Sequence, residues 1–110
     1  MSAANKKLIL YGLDGSQPCR TVSWLLRTHK VPFEYVEVMP GAKNGTRDPN
    51  FLKNKNKLGM VPVLEHGDLI LSESGAIIVY LAETFGWNDV YPLGPENAGK
   101  RGRINMFLHW

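Results

Sequence analysis

Residues 61–71 read Val61-Pro62-Val63-Leu64-Glu65-His66-Gly67-Asp68-Leu69-Ile70-Leu71, and this stretch decides the fold. Val61 to Leu64 and Leu69 to Leu71 are short apolar runs of strand-favouring residues. The four residues between them, Glu65 to Asp68, have the composition of a turn, so the two runs pair as a β-hairpin. Just downstream, Ser74 precedes Ile77, Ile78, Leu81 and Phe85 at the spacing of one helical face, and Gly86 stands where a helix-terminating glycine belongs. This half of the chain therefore reads strand, strand, helix.

Working upstream, Leu8-Ile9-Leu10-Tyr11 is an apolar run closed by Gly12 and Gly15, which predicts a buried strand and a loop. Ser16-Gln17-Pro18 then supplies a capping-type residue and a first-turn proline. Val22, Leu25 and Leu26 follow at helical spacing, His29-Lys30 sit near the exit, and Pro32 blocks continuation. Phe33 to Val38 predicts a second strand. Strand, helix and strand in this order make a parallel β-α-β unit, because parallel neighbours need a crossover. Pro40 to Asn56 is rich in Gly, Asn, Asp and Lys, with Phe51 and Leu52 as its large apolar residues, and predicts a loop enclosing a short irregular helix.

Downstream, Val90-Tyr91-Pro92-Leu93-Gly94-Pro95 cannot continue a helix and reads as an ordered linker. A last helix is expected from about Glu96 to Trp110, with Ile104, Phe107 and Leu108 on one face. Apolar surface left in water costs about 25 cal/mol per Å². A cover for that face is therefore expected from a further segment of a longer parent protein or from another molecule. The chain divides into a domain over 1–88, a linker over 89–95 and the start of a second, helical unit over 96–110.

At 110 residues and 44% hydrophobic, the chain can bury one core. No window holds the roughly 18 unbroken apolar residues of a membrane span, and Met1 to Lys7 lacks the apolar stretch of a signal peptide. The expectation is a cytoplasmic chain with no membrane partner. Cys19 is the sole cysteine, so no internal disulfide forms; with His29, His66 and His109 scattered, no metal-ligand spacing exists and no metal is expected. The net charge of +3 is uneven: Lys43, Arg47, Lys53, Lys55 and Lys57 crowd one segment, and Lys100, Arg101 and Arg103 another. These clusters read as solvated surface or as attraction for a small anion. Without interleaved aromatics they do not read as a nucleic-acid site.

Three local motifs sharpen the β-α-β then β-β-α order. Ser16-Gln17-Pro18-Cys19-Arg20 resembles the active-site turn of theta-class glutathione transferases. Asn56-Lys57-Leu58-Gly59-Met60-Val61-Pro62-Val63-Leu64 is similar to that family's loop leading into a cis-proline. Ser72 to Leu81 resembles its Glu-Ser-x-Ala-Ile stretch. The resemblance runs from about Leu8 to Trp110. It implies a thioredoxin-like α/β fold (βαβ-α-ββα) with a four-stranded mixed sheet, followed by the first helix of an all-α second domain.

Physical chemistry supplies reasons for each motif and an ordinary alternative. Ser16 lies where free backbone N–H groups and the helix dipole favour negative charge, so it serves either as a simple helix cap or as a donor to a thiolate. Lowering a thiol by about two pKa units, worth roughly 3 kcal/mol, is within reach of a hydroxyl plus a helix terminus. Pro62 in an apolar strand pattern forfeits a ladder bond, which suits an open edge able to pair with a ligand. The ordinary alternative is a trans proline at a strand start; the resemblance implies a cis bond there, with the Val61 backbone pairing to the cysteinyl part of glutathione beside Met60 and Pro62.

Glu73 and Ser74 complement a helix dipole in any case. The resemblance adds that Ser74 grips the γ-glutamyl carboxylate while Glu73 meets the ammonium. Lys57, with Lys43 or Arg47, is available for the glycyl carboxylate. Ser16 replaces the nucleophilic cysteine of a dithiol turn, which excludes dithiol exchange, and Cys19 reads as a small packed residue. Arg20 orients its loop or faces water. Trp24, Trp87 and Trp110 read as packing residues, and His66, in the hairpin turn, as exposed.

The implied function is a glutathione S-transferase of the detoxification type. It would bind glutathione as a substrate and direct its thiolate to a small electrophile, without a metal, as a homodimer in full-length form. The competing expectation is a non-catalytic transferase-like module of the kind found in translation factors or synthetase complexes. Intact Ser16, Pro62, Glu73 and Ser74 count against it.

Overall fold

A computed structural model describes residues 5–108. Strand β1 (Leu8–Gly12) leads through a loop into helix α1 (Gln17–Thr28), which returns the chain to strand β2 (Glu34–Glu37). The short helix α2 (Pro49–Asn54) precedes the hairpin of β3 (Val63–His66) and β4 (Leu69–Ser72), and helix α3 (Ser74–Phe85) follows directly. A 3-10 turn at Pro95–Asn97 opens helix α4 (Ala98–Leu108). The sheet order is β2-β1-β3-β4, with β1 and β2 parallel and β3 antiparallel to both its neighbours. The expected thioredoxin-like, four-stranded mixed sheet is the observed fold.

Strand alternation sorts the core onto two faces. Leu8, Leu10 and Leu64 pack with Val22, Leu25 and Leu26 of α1 and with Ile77, Ile78 and Leu81 of α3. On the other face Val63 packs with Val38 and with Phe51 of α2. Helix α3 ends at Gly86, whose φ of 71° is the left-handed conformation that lets its N–H reach the Ala82 carbonyl.

Several expectations needed revision. Glu65 and His66 belong to β3, leaving only Gly67-Asp68 as the turn. Alternation then carries His66 to the Leu64 face, where it is 3% exposed, bonded through Nδ1 to the Tyr80 hydroxyl (2.6 Å) and stacked near Phe85. It is thus buried, and burial pushes its pKa down. Trp24 is 64% exposed because Cys19, Val22, Leu25 and Leu26 take the inner face of α1. Trp87 is buried as expected, while Trp110 and His109 lie outside the described residues.

In α4, Ile104 and Leu108 pack on the core but Phe107, expected on the same face, points into solvent. Arg101 is not simply solvated: its guanidinium donates to the carbonyls of Pro92 (2.8 Å) and Gly94 (2.7 Å), tying the linker to α4. No described helix is long and apolar enough to cross a membrane.

His29 closes α1 against the segment after α3. Its ring stacks on Trp87 (4.2 Å between centroids), Nδ1 lies 2.8 Å from the Leu25 carbonyl and Nε2 2.9 Å from Asp89 Oδ2. Two acceptors suit the imidazolium, which donates from both nitrogens. The Leu25 carbonyl, with help from Asp89, accordingly raises its pKa above 6.5. A raised folded-state pKa means stability that is full below the ordinary value and lost as pH rises through the folded one.

Two outcomes are expected in urea unfolding. Leu81→Ala lowers stability by about 3 kcal/mol, as a fully buried leucine truncated to a cavity should. The destabilisation caused by His29→Gln is larger near pH 6 than near pH 8; equal effects at both would refute the assigned ion pair.

Candidate functional site

At one end of the sheet, three segments distant in sequence meet around a cleft. Pro18 comes from the first turn of α1, Asn56, Met60, Val61 and Pro62 from the loop before β3, and Glu73 with Ser74 from the start of α3. A larger hollow of about 630 Å³ lies elsewhere, bounded by the starts of β1 and β2 and by Phe85, and receives none of these groups. The Val61-Pro62 bond is cis. Pro62 does not occupy an open strand edge: β3 begins at Val63 and is paired on both sides, so the proline stands just before the ladder and costs it no bond. Val61 takes part in no backbone hydrogen bond among the described residues, which leaves its peptide groups open toward the cleft.

Two helix N-termini, each heading a 12-residue helix with no acidic residue in its first turn, border this cleft. Their unpaired N–H groups and dipoles favour anions there. Ser16 is the N-cap of α1. Its N–H donates to the Leu13 carbonyl (2.9 Å) and its carbonyl accepts from Arg20 N–H (3.0 Å), yet its hydroxyl makes no capping bond. The hydroxyl therefore stays free for a ligand two residues from Pro18. Arg20 holds the same loop by donating to the Asp14 carbonyl (3.1 Å). Glu73, at φ 74°, occupies a left-handed region unfavourable to a side chain, and this bend turns the chain from β4 into α3 beside the cleft.

The structure thus gathers Met60, Val61, Pro62, Glu73 and Ser74 around one cleft, while Ser16 stands outside its lining, two residues before Pro18. Lys57 is exposed on the turn after Asn56 and does not line the cleft, and Lys43 and Arg47 are exposed outside it. Cys19 is fully buried, with its sulfur packed about 3.0 Å from where a Cβ on Gly12 would sit, so β1 and α1 approach closely behind the cleft. Among the described residues, no group of three or more His, Cys, Asp or Glu could hold a metal ion.

A sequence model for the glutathione S-transferase N-terminal domain matches residues 10–95. The chain belongs to this family. Glutathione S-transferase 2 of Anopheles gambiae is 42% identical over 92% of this chain and 47% of its own length. Glutathione S-transferase theta-1 of Gallus gallus is 30% identical over 86% of this chain and 42% of its own. Human glutathione transferase theta-2, solved in complex with glutathione and an unknown ligand, superposes with a TM-score of 0.80 at 33% identity, over 94% of this chain and 41% of that one. The chain thus spans less than half the length of each. The family match contains every residue that lines the cleft.

Within this glutathione S-transferase domain, sequence reasoning had placed Asn56 in a motif without a role. The structure gives it one: Nδ2 donates to the Met60 carbonyl (3.1 Å) and Oδ1 accepts from Leu58 N–H (3.0 Å), stapling the loop that carries Val61. An asparagine opening a turn is the signal that could have found it. Lys55, in a cluster that reads as solvated surface or as attraction for a small anion, is engaged within the fold. It bonds Glu65 on β3 and lies over the Tyr11 ring (4.9 Å), while Tyr11 donates to Glu65 (3.2 Å). The Lys55 ammonium holds Glu65 below the usual carboxylate range, and Glu65 raises Lys55 in return.

Asn56→Ala should cost about 1–2 kcal/mol through two lost hydrogen bonds and accelerate amide exchange at Leu58 well beyond the change at Leu64. Unchanged exchange at Leu58 would mean that the staple is not what orders the loop.

Proposed function

We propose that this chain is the glutathione-binding part of a glutathione transferase that activates the thiol and delivers it to a small electrophile. The observation that carries this reading is the convergence of open Val61 peptide groups and Glu73-Ser74 on one anion-favouring cleft with the first turn of α1, whose N-cap Ser16 makes no side-chain capping bond. Glutathione offers matching groups. Its γ-glutamyl carboxylate meets Ser74 at the N-terminus of α3, and its ammonium meets Glu73. Its cysteinyl backbone pairs with Val61, between Met60 and Pro62, which turns the sulfur toward Ser16. Lys57 adds longer-range attraction for the anionic ligand from the solvent side.

The thiol gives its proton to solvent, and the thiolate accepts a hydrogen bond from the Ser16 hydroxyl in the field of α1. It then attacks the electrophilic carbon, the new carbon–sulfur bond forming as the leaving group departs or the acceptor bond opens. The protein contributes ionisation and positioning. The electrophile is held chiefly by parts of a longer protein, as the partial coverage of the relatives suggests. We further propose a cytoplasmic homodimer. The partly exposed Leu69 of β4, beside Leu71 and Val79, offers an apolar face that suits such pairing.

Calorimetric titration of the chain with glutathione tests this reading. Binding should weaken about tenfold in Ser74→Ala, the loss of one hydrogen bond to a charged group. Ser16→Ala should bind nearly as well as wild type, with the pKa of the bound thiol, followed by its ultraviolet absorbance, raised by about one unit. A folded chain that shows no binding at millimolar glutathione would overturn the reading in favour of an assembly module.

A further inference from the structure

The loop that carries Val61 and Pro62 is held in two separate ways. Its internal shape comes from local bonds: Asn56 Nδ2 donates to the Met60 carbonyl, Leu58 N–H to Asn56 Oδ1, and Gly59 N–H to the Asn56 carbonyl (3.0 Å). Among the described residues, no hydrogen bond of residues 57–62 reaches the sheet, α1 or α3. Local bonds thus set the shape of the loop and leave its placement to the two stems.

One ion pair joins those stems. Lys55 caps the C-terminus of α2 immediately before the loop, and Glu65 lies in β3 after it; their largely buried side chains pair across its base. Lys55 Nζ also lies over the Tyr11 ring (4.9 Å), and Tyr11 donates to Glu65 Oε1 (3.2 Å). Tyr11 belongs to the strand that leads to the Ser16 turn, and Tyr11 and Val61 both pack against Val38, Phe51 and Val63. A bare Glu65 on this face would be an uncompensated charge, so the pair has an ordinary role in stability. Its position gives it a second one, because it ties the loop to β3 and β1 where their mutual orientation decides how Val61 faces Ser16.

We infer that Lys55 and Glu65, braced by Tyr11, are positioning residues for the thiol ligand: they clamp the base of the loop and hold the Val61 peptide groups in place relative to the Ser16 turn. The inference rests on the glutathione-binding reading above and adds the device that keeps that site assembled before a ligand arrives. None of the three residues lines the cleft, so each acts through the loop and not on the ligand. A loop ordered in advance spares the ligand the cost of ordering it, and removal of the clamp moves that cost into the affinity.

The test is calorimetric titration with glutathione of wild type and four variants, each shown by circular dichroism to be folded. Lys55→Met removes one charge, and Lys55→Met combined with Glu65→Gln removes the pair without stranding a carboxylate. Both should bind about fivefold more weakly than wild type. Lys55→Arg, which can keep both the pair and the aromatic contact, should bind within about twofold of wild type. Leu81→Ala, buried in the core away from the cleft, should lose stability and keep wild-type affinity, which separates positioning from a general loss of stability. Wild-type affinity in the double variant overturns the inference and leaves the glutathione-binding reading standing. So does an equal weakening in Leu81→Ala, or a Lys55→Arg chain as weak as Lys55→Met. Should Lys55→Met fail to fold, the double variant decides. A folded wild type that binds no glutathione at millimolar concentration overturns both.

Discussion

The antiparallel register between β1 and β3, with Leu10 opposite Leu64 and Tyr11 opposite Val63, is the constraint on which the rest of the molecule depends. It joins the β-α-β half to the β-β-α half through the two central strands of the sheet. Side chains alternate with a period of two, so this register sends Leu8, Leu10, Leu64 and His66 toward α1 and α3. It sends Tyr11, Val63 and Glu65 toward α2. A slip of one residue would exchange the two sets, placing Glu65 in the main core and Leu64 under a six-residue helix. The same register brings the start of β3 beside the end of β1, which is how Val61-Pro62 comes to lie near the turn that holds Ser16.

The cleft is built from segments that leave this scaffold, and each is held by local bonds in place of ladder pairing. The loop before β3 is stapled by Asn56, and the turn before α1 by Arg20 and the Ser16 backbone. The entry to α3 is set by the bend at Glu73. These restraints occupy the Asn56 amide, the Arg20 guanidinium and the Ser16 backbone groups. What remains open is a short list: the Ser16 hydroxyl, the Val61 peptide groups, and Glu73 with Ser74.

A second set of contacts secures elements away from the cleft. Lys55, Glu65 and Tyr11 tie the end of α2 to the α2-facing side of the sheet, so a half-buried ion pair stands immediately before the stapled loop that carries Val61. At the other pole, His29 stacks on Trp87 and pairs with Asp89. Arg101 fastens the linker carbonyls to α4. Linker and last helix are thereby part of the packed structure, with Ile104 and Leu108 seated on the core.

Much of this was legible in the sequence because it rests on local rules. The order and type of the elements follow from apolar periodicity and from Gly12, Pro32, Gly67 and Gly86. The family and the cleft residues Met60, Val61, Pro62, Glu73 and Ser74 follow from three motifs in order. What could not be read were the properties set by contacts between distant segments. Hairpin composition suggested that His66 was an exposed turn residue, but the register with Leu8 makes it a core residue. Trp24 looked like packing, but the inner face of α1 is filled by smaller residues. Lys55 looked solvated until β3 placed Glu65 and Tyr11 beside it. The sequence by itself determined which elements form and which motifs they carry, since backbone geometry and side-chain periodicity act over a few residues. Only the tertiary structure decided which polar groups remain free for a ligand, because that depends on partners brought together from across the chain.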